Sequence, residues 1–205
     1  MNKLTKLVKS ELCFFPELGY GHYPVPKDRP YDEEYFEKYR KMANTEMGDK
    51  ITKARLELVR RHYSGSICDV GIGSGQFVES CDQAYGYDVN PAGIRWLTEK
   101  SKFHDLYGAP TGALSFWDVL EHIDDPEKAI EQATEWVFVS VPIFDNAEHI
   151  TKSRHFRKDE HIHYWTHQGF INWFSGNGFE CIEQNTIESD LGRDGIGTYA
   201  FKRVK

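Results

Sequence analysis

Short apolar runs alternate with stretches of helical periodicity through the middle of this chain, and this alternation constrains the fold more than any other feature. After Ser64 the apolar runs are SICDV, AYGYD, ALSFW and EWVFVSV, and helical stretches begin at Gly75, Pro91 and Pro126. Strands separated by helices are typical of βαβ units, whose strands run parallel. The sequence therefore predicts an α/β fold in which helices cover both faces of a mostly parallel sheet.

The last third of the chain predicts a different arrangement of strands. A helix is expected from about His167 to Asn177, followed by the β-rich runs FECIEQNTI and IGTYAFKRV. The turn-rich segment SDLGRDG between these runs indicates an antiparallel pair that closes the sheet. One further strand, at Phe103 to Leu106, must be brief because Gly108 and Pro110 end it early.

The first thirty residues hold four of the eight prolines together with Gly19 and Gly21, which break helices and central strands. We expect an irregular, aromatic-rich arm there, followed by two helices. A chain of 205 residues needs only one core, so we predict a single globular unit. Residues 1–48 would form the arm and a lid helix, and residues 49–205 the main domain.

No apolar run near the start is long enough for a signal peptide or a membrane span, which predicts a cytoplasmic protein.

The segment DVGIGSGQF joins a predicted strand to a helix through Gly71, Gly73 and Gly75. Glycines in such a turn allow a sharp bend and a close approach of ligand to backbone. The next predicted strand ends in Asp88, where a carboxylate can accept hydrogen bonds from both hydroxyls of a ribose. A glycine turn alone is weak evidence, but together with Asp88 it predicts a nucleoside site.

The spacing of the glycines indicates which nucleoside is bound. A dinucleotide site has the pattern GxGxxG, but this chain has Gln76 at the position of the last glycine and reads GxGxG. Together with the antiparallel C-terminal pair, this argues against a nicotinamide-dependent dehydrogenase.

The successive segments DVGIGSGQF, YGYDVNP, SFWDVLEHIDDP and HIHYWTHQGFINWFSGNGFE resemble the motifs of class I S-adenosylmethionine-dependent methyltransferases. The resemblance extends from about Lys50 to the C-terminus. Within that class, the LEH turn is similar to that of the ubiquinone-biosynthesis O-methyltransferases, which act on small molecules. The resemblance implies a Rossmann-like, seven-stranded sheet with an antiparallel C-terminal hairpin, and S-adenosylmethionine as the cofactor.

The same resemblance implies roles for individual residues in the cofactor site. Gly71 and Gly73, with Gly75 completing the turn, would line the methionine part of the cofactor, and Asp69 would lie near its amino group. Asp88 would hold the ribose hydroxyls, and Trp117 would contact the adenosine. Two alternatives stay open: Trp117 could be a core aromatic residue, and Asp69 could serve only to hold the neighbouring loop.

The turn after the predicted strand that ends at Trp117 carries the candidate catalytic residues. If this turn is helical, Asp118, Glu121 and His122 lie on one face. Asp118 or His122 could then accept the proton of an acceptor hydroxyl. The three side chains could also bind a divalent cation such as Mg²⁺, which would lower the pKa of a coordinated hydroxyl. In the alternative interpretation, Asp118 caps the turn and His122 bonds to the backbone.

A polar, histidine-rich connection follows the EWVFVSV run and ends in His161 and His163. Both could contact a substrate, or could simply pack the loop; a third nearby ligand for zinc is missing from the local sequence. We also expect the arm and the first helix to form a lid over the site, so that deleting residues 1–30 would weaken cofactor binding without unfolding the domain. In the alternative interpretation, their aromatic residues pack on the sheet; they are Phe14, Phe15, Tyr20, Tyr23, Tyr31, Tyr35 and Tyr39.

The class of acceptor is less constrained than the cofactor. A formal net charge of −7 repels nucleic-acid backbones, and no NPPY-like tetrapeptide follows the strand ending at Trp117, so a nucleic-acid substrate is disfavoured. The resemblance to the ubiquinone-biosynthesis O-methyltransferases implies a small-molecule acceptor methylated at oxygen. The alternatives are a nucleic-acid or protein methyltransferase, and a domain that binds S-adenosylmethionine without catalysis.

Overall fold

The computed structural model describes residues 11–26, 28–29, 31–43 and 45–204, so the first ten residues of the expected arm lie outside the described part. The strands are β1 (Cys13–Phe15), β2 (Tyr20–His22), β3 (Ile67–Val70), β4 (Ala84–Tyr87), β5 (Thr111–Trp117), β6 (Ala133–Phe144), β7 (His163–Thr166), β8 (Phe179–Asn185) and β9 (Ile196–Arg203). The helices are α1 (Glu33–Ala43), α2 (Glu46–His62), α3 (Gln76–Glu79), α4 (Pro91–Glu99), α5 (Pro126–Ile130), α6 (Ala147–Lys152), α7 (His167–Gly176) and α8 (Ile187–Asp190), with a 3-10 turn at Leu120–His122.

The described residues form one sheet whose main path is β1-β2-β7-β6-β5-β3-β4, while β9 pairs with β6, and β8 with β9. Strands β4, β3, β5, β6 and β7 run parallel to one another, whereas β8 and β9 form an antiparallel pair. The predicted Rossmann-like α/β fold with an antiparallel C-terminal hairpin is confirmed. The sheet has nine strands instead of the expected seven.

Helices lie on both faces of the sheet, as β6 shows. Val137 and Val139 share a buried cluster with Phe170 and Phe174 of α7, whereas the intervening Phe138 packs in a second cluster that includes residues of α2. Because successive side chains of a strand point to opposite faces, this alternation places α7 and α2 on opposite sides. Two covered faces explain why β3 and β5 read as nearly continuous apolar runs.

The N-terminal arm was expected to be irregular, but residues 13–22 form the β1–β2 hairpin. The prolines that argued against strands lie outside them: Pro16 is in the turn between the two strands, and Pro24 follows β2. β2 then pairs antiparallel with β7 at the edge of the sheet. An edge needs only short strands, so prolines that exclude a central strand do not exclude this one.

The brief strand expected at Phe103 to Leu106 is reduced to a single bridge between Gly86 and Phe103. The backbone amide of His104 donates to the carbonyl of Gly86 at 2.9 Å, and the chain then leaves the edge of β4. Leu106 turns inward and is fully buried in the core. The glycine and proline after it therefore end the pairing even earlier than expected.

α2 begins earlier than the predicted division of the chain at residue 48. The side chain of Thr45 caps the helix by accepting a hydrogen bond from the amide of Gly48 at 3.1 Å. The division at residue 48 therefore falls inside the first turn of α2, and the arm contributes strands to the main sheet. Among the described helices, none has the length and apolar character needed to cross a bilayer.

Candidate active site

The turn after β3 holds its three glycines in the left-handed region of the backbone. φ is +68° at Gly71, +54° at Gly73 and +79° at Gly75. A Cβ on Gly71 would lie 2.7 Å from a methyl of Val119, and a Cβ on Gly75 would lie 2.4 Å from the ring of Trp96. Both the backbone conformation and the lack of space therefore require glycine at Gly71 and Gly75.

Gly73 is the open position of this turn, and helix α1 lies above it. The nearest atom to a Cβ on Gly73 would be Cδ1 of Tyr39, at 3.8 Å. The hydroxyl of Tyr35 donates to that of Tyr39 at 3.2 Å, and burial raises the pKa of Tyr35. The segment before α1 is held by the Asn90 side chain, whose amide donates to the carbonyl of Asp32 at 2.8 Å. An aromatic helix thus covers the glycine turn.

Asp88 follows β4 and reaches back to the same turn. Its carboxylate accepts a hydrogen bond from the amide of Asn90 at 2.8 Å. Burial raises the pKa of Asp88, and hydrogen bonds from backbone amides, including that of Ile72 between the first two glycines, oppose this shift. Asp88, the residue predicted to bind the ribose, therefore lies beside the glycine turn at the carboxyl edge of the sheet.

Asp69 lies within β3, directly before the glycine turn, and is almost completely buried. Its carboxylate accepts a hydrogen bond from the hydroxyl of Ser115 on β5 at 2.7 Å. Burial raises the pKa of Asp69 to about 7, although the Ser115 hydrogen bond opposes the shift. The structure thus gives Asp69 a partner on the neighbouring strand, and its contact with the cofactor stays a prediction.

Trp117 ends β5 and packs in the core cluster that includes residues of α2. Its ring centroid lies 5.5 Å from that of Phe77, and the guanidinium of Arg55 lies 5.0 Å from the ring. This packing is typical of a core aromatic residue, the alternative that the sequence left open. Its contact with adenosine stays a prediction.

Asp118 follows β5 in the left-handed region, with φ of +58°. Its carboxylate lies 2.7 Å from Nη1 of Arg193 and 3.2 Å from Nη2 of Arg55. Burial raises the pKa of Asp118, but Arg193 and Arg55 outweigh burial and lower the pKa overall. An ion-paired carboxylate with a lowered pKa is a weak proton acceptor, so this geometry favours charge balance over general-base catalysis at Asp118.

The same ion-pair network includes three residues that sequence reasoning missed, Arg55, Glu188 and Arg193. Arg55 of α2 makes two hydrogen bonds to Glu188 of α8, at 2.7 and 2.9 Å, and Arg193 also pairs with Glu188. These residues come from segments that are far apart in the chain, and the sequence around each of them contains no motif that distinguishes it from other charged residues. No local pattern could have indicated their contact.

Glu121 and His122 lie in the 3-10 turn after β5, where His161 joins them from the segment before β7. Oε1 of Glu121 is 4.0 Å from Nε2 of His122 and 4.0 Å from Nε2 of His161. The predicted metal set was Asp118, Glu121 and His122, but the turn is not α-helical. Asp118 is engaged by arginines, and His161 is grouped with Glu121 and His122 within 4.8 Å.

Burial controls the protonation of this group. It lowers the pKa of His122 to about 4 and that of His161 to about 2, so both imidazoles are neutral at neutral pH. Burial, and then the charge of Asp118, raise the pKa of Glu121 well above its ordinary value. Neutral imidazoles are the form that binds a metal ion, so both histidines are ready to hold the divalent cation predicted from the sequence.

His163, the other histidine of the HxH pair, has both ring nitrogens engaged. Nδ1 accepts a hydrogen bond from the hydroxyl of Tyr20 at 2.7 Å, and Nε2 donates to the carbonyl of Ile123 at 2.8 Å. These bonds tie β7 to the N-terminal hairpin and to the segment after the 3-10 turn. The packing interpretation therefore fits His163, whereas His161 joins the polar group.

A protein-family model described as a methyltransferase domain matches residues 36–184. This match begins inside α1 and ends inside β8, so it includes the glycine turn, Asp88, and the group of Glu121, His122 and His161. No curated protein matches the sequence.

Solved structures share the fold at low sequence identity. A chain of the complex between the Haloferax volcanii Trm112 methyltransferase activator and a methyltransferase is 12% identical, with a TM-score of 0.62, over 84% of this chain and 97% of that one. Magnesium protoporphyrin IX methyltransferase of Synechocystis PCC 6803, with bound S-adenosylhomocysteine, is 14% identical, with a TM-score of 0.59, over 84% and 96%. The 1,6-didemethyltoxoflavin-N1-methyltransferase of Burkholderia thailandensis is 11% identical, with a TM-score of 0.55, over 96% and 100%.

Proposed function

Because the chain belongs to the methyltransferase-domain family, we propose that it transfers the methyl group of S-adenosylmethionine to an oxygen atom of a small-molecule acceptor. The enzyme is an S-adenosylmethionine-dependent methyltransferase of the class I fold. We propose three further properties of this enzyme. Its acceptor is a small molecule, the methylated atom is oxygen, and the enzyme belongs to the group that is similar to the ubiquinone O-methyltransferases.

The observation that carries the proposal is the buried polar group at the carboxyl end of β5. Glu121 is 1% exposed and His161 is 4% exposed, so neither can meet a bulky substrate at the surface. Val119, two residues before Glu121, packs on the glycine turn at Gly71. A buried polar group beside the glycine turn suits a small polar acceptor better than a nucleic acid or a folded protein.

Two of the structural neighbours act on small molecules by name, a magnesium porphyrin and a toxoflavin precursor, which supports a small acceptor here. The net charge of −7 supports the same choice over a nucleic acid. We also propose that residues 1–48 contribute the cover of the site through α1, while residues 49–205 carry the catalytic machinery.

The chain's residues would bind, position and enclose the reactants. When bound, S-adenosylmethionine supplies a methyl group on a sulfonium, which is already an activated leaving group. Asp88 would accept hydrogen bonds from the ribose hydroxyls, and the turn from Gly71 to Gly75 would cradle the methionine part. Helix α1 would exclude water from above Gly73, and His122 would face the acceptor hydroxyl. Alignment and exclusion of water supply most of what such a transfer needs.

Turnover of the purified chain tests the proposal. We expect S-adenosylhomocysteine to form when S-adenosylmethionine is mixed with a panel of catechols and phenols, and not with a panel of RNA, DNA and unfolded protein. Formation only with a macromolecular panel would overturn the small-molecule proposal. Binding of S-adenosylmethionine without turnover on any panel would support the non-catalytic alternative.

Asp88→Asn tests the cofactor site separately by calorimetry. Loss of a charged acceptor for two ribose hydroxyls should weaken S-adenosylmethionine binding by about 10- to 100-fold, since hydrogen bonds to charged groups contribute about 1.5–3 kcal/mol. Asp82→Asn, an exposed aspartate just before β4, serves as the matched control and should bind like the wild type. Equal affinities of all three proteins would contradict the assignment of Asp88.

A further inference from the structure

The carboxyl group of Glu121 is almost completely buried. Neither of its oxygens has a hydrogen-bond partner among the described residues. A buried carboxyl group without a partner costs several kcal/mol if it is charged, and native structures rarely leave one in that state. Two imidazole nitrogens face this carboxyl group, because Nε2 of His122 and Nε2 of His161 each lie 4.0 Å from Oε1. The charged form of Glu121 therefore needs a further, positively charged group to stabilise it.

The tautomer of His122 points to what that group is. Its Nδ1 lies 3.0 Å from the backbone carbonyl of Glu160, so Nδ1 carries the proton and donates it. Nε2, which faces Glu121, therefore keeps its lone pair. Metal-ligating histidines typically donate their other ring nitrogen to a carbonyl or carboxylate in this manner, because the bond fixes the ring and its tautomer.

The backbone holds His161 in the same place. The amide of Ile162 donates to the carbonyl of Glu121 at 2.9 Å, which ties the segment before β7 to the 3-10 turn. The two imidazole rings meet edge to face, with centroids 4.6 Å apart. Three side chains from two segments are thus positioned by backbone bonds and by burial before any ligand binds.

We propose that Glu121, His122 and His161 bind one divalent transition-metal ion of the zinc class. Two imidazoles and one carboxylate suit Zn²⁺, Co²⁺, Fe²⁺ or Mn²⁺ better than Mg²⁺, which prefers oxygen ligands. The site differs from the sequence-based set in two respects, because Asp118 is replaced by His161 and Mg²⁺ is no longer the favoured ion. Three protein ligands leave coordination positions open for an acceptor hydroxyl or water.

The distances suit this proposal after a small contraction. Metal–ligand bonds of about 2.0–2.2 Å hold neighbouring ligand atoms roughly 3.0–3.5 Å apart. The ligand atoms of this group all lie within 4.8 Å of one another, so shifts of about an ångström close the site. Such shifts are within the reach of side-chain rotations about fixed backbones.

Cobalt titration of the chelator-stripped full chain tests the site. We expect one Co²⁺ to bind per chain, with visible d–d absorption typical of nitrogen and oxygen ligands and a rise in the melting temperature. Glu121→Gln and His161→Asn should each weaken binding by on the order of 100-fold or more. His149→Ala, an exposed histidine on α6, is the matched control for adventitious binding and should behave like the wild type.

Glu121→Gln also guards against a misfolded variant, because it keeps the shape of the side chain and removes the buried acid. Metal-free Glu121→Gln should melt no lower than the metal-free wild type. Wild-type protein that binds no Co²⁺, or that binds it no more tightly than Glu121→Gln and His161→Asn, would overturn the site. The titration contains neither S-adenosylmethionine nor acceptor, so its failure is distinguishable from failure of the proposed function.

Discussion

Asp69 is a single residue whose charge is linked to the stability of the whole domain. Its carboxyl group is buried beside Ser115, and burial raises its pKa from 3.8 to about 7. The folded state therefore holds this proton over a pH range in which the unfolded state has released it. Since the folded state binds more protons between about pH 4 and pH 7, the contribution of Asp69 to stability falls as pH rises through that range.

Asp69→Asn should remove this pH dependence while keeping the acceptor oxygen for Ser115. We expect the free energy of unfolding of the variant, relative to wild type, to rise between pH 4 and pH 7, by up to about 4 kcal/mol. Urea unfolding at several pH values measures the difference. A constant difference across this range would show that Asp69 is ionised in the folded protein throughout.

Sequence reasoning could single out candidate site residues whose position depends on local structure. Gly71, Gly75 and Asp88 lie at a turn and at a strand end, where backbone conformation and position along the chain are enough to single them out. His161 was a candidate for substrate contact, but its neighbours Glu121 and His122 come from another segment of the chain. No local spacing in the sequence could therefore reveal that the three residues lie together. Residues whose roles arise from contacts between segments require the fold.

Two N-terminal elements have different relations to the site. The β1–β2 hairpin is part of the sheet, with Leu12 and Tyr23 buried beside it, whereas α1 lies over the glycine turn through Tyr39. The lid expected of the arm and the first helix stays a prediction. Within the described part of the N-terminal segment, α1 is the element that lies over the glycine turn.

Separate variants distinguish these two elements. Deleting residues 1–30 uncovers the edge of β7 and exposes apolar surface, so it should lower the free energy of unfolding by at least about 3 kcal/mol. Tyr39→Ala should weaken S-adenosylmethionine binding severalfold with little change in stability. Denaturant unfolding and calorimetry measure the two effects. A stable deletion variant with weakened cofactor binding would instead support a lid formed by the arm and the first helix together.

The regular elements were predictable where apolar periodicity was long and clear. The runs that became β3, β5 and β6 were found because their buried faces are continuous, and α7 begins at His167 as predicted. The strand predicted at Phe103 to Leu106 was wrong, because a single bridge at a sheet edge produces no periodic apolar pattern in the sequence. The N-terminal hairpin was not predicted, because the prolines near it were taken to exclude strands although they lie outside the strands themselves.

The buried ion pairs join distant parts of the whole molecule. Glu188 of α8 is fully buried and pairs with Arg55 of α2 and with Arg193, which in turn pairs with Asp118 after β5. The network thereby links the N-terminal half of the chain to its C-terminal hairpin. Removal of one member leaves an uncompensated buried charge.

Glu188→Ala should therefore destabilise the protein by about 3–5 kcal/mol, the usual cost of breaking a buried pair. The double variant Arg55→Met/Glu188→Leu removes a charge of each sign and should lose less stability than Glu188→Ala. Glu180→Ala, at an exposed position of β8, is the control and should change little. Guanidinium unfolding measures all three, and a loss below about 1 kcal/mol for Glu188→Ala would contradict this role.

The overall fold was predictable because alternating strands and helices leave few arrangements for a chain of this length. The acceptor class was not, since it depends on pocket residues contributed by several segments. Neighbours with TM-scores between 0.55 and 0.62 share the architecture at 11–14% identity, which shows how little of the sequence the fold itself requires.

The pairing of β2 with β7 has a consequence for how the protein is made. Tyr20 bonds His163, which is 143 residues further along the chain. The ribosome therefore releases the hairpin long before its docking strand has been synthesised. Pairings of such high contact order form slowly, so the first strands to emerge are among the last to find their place.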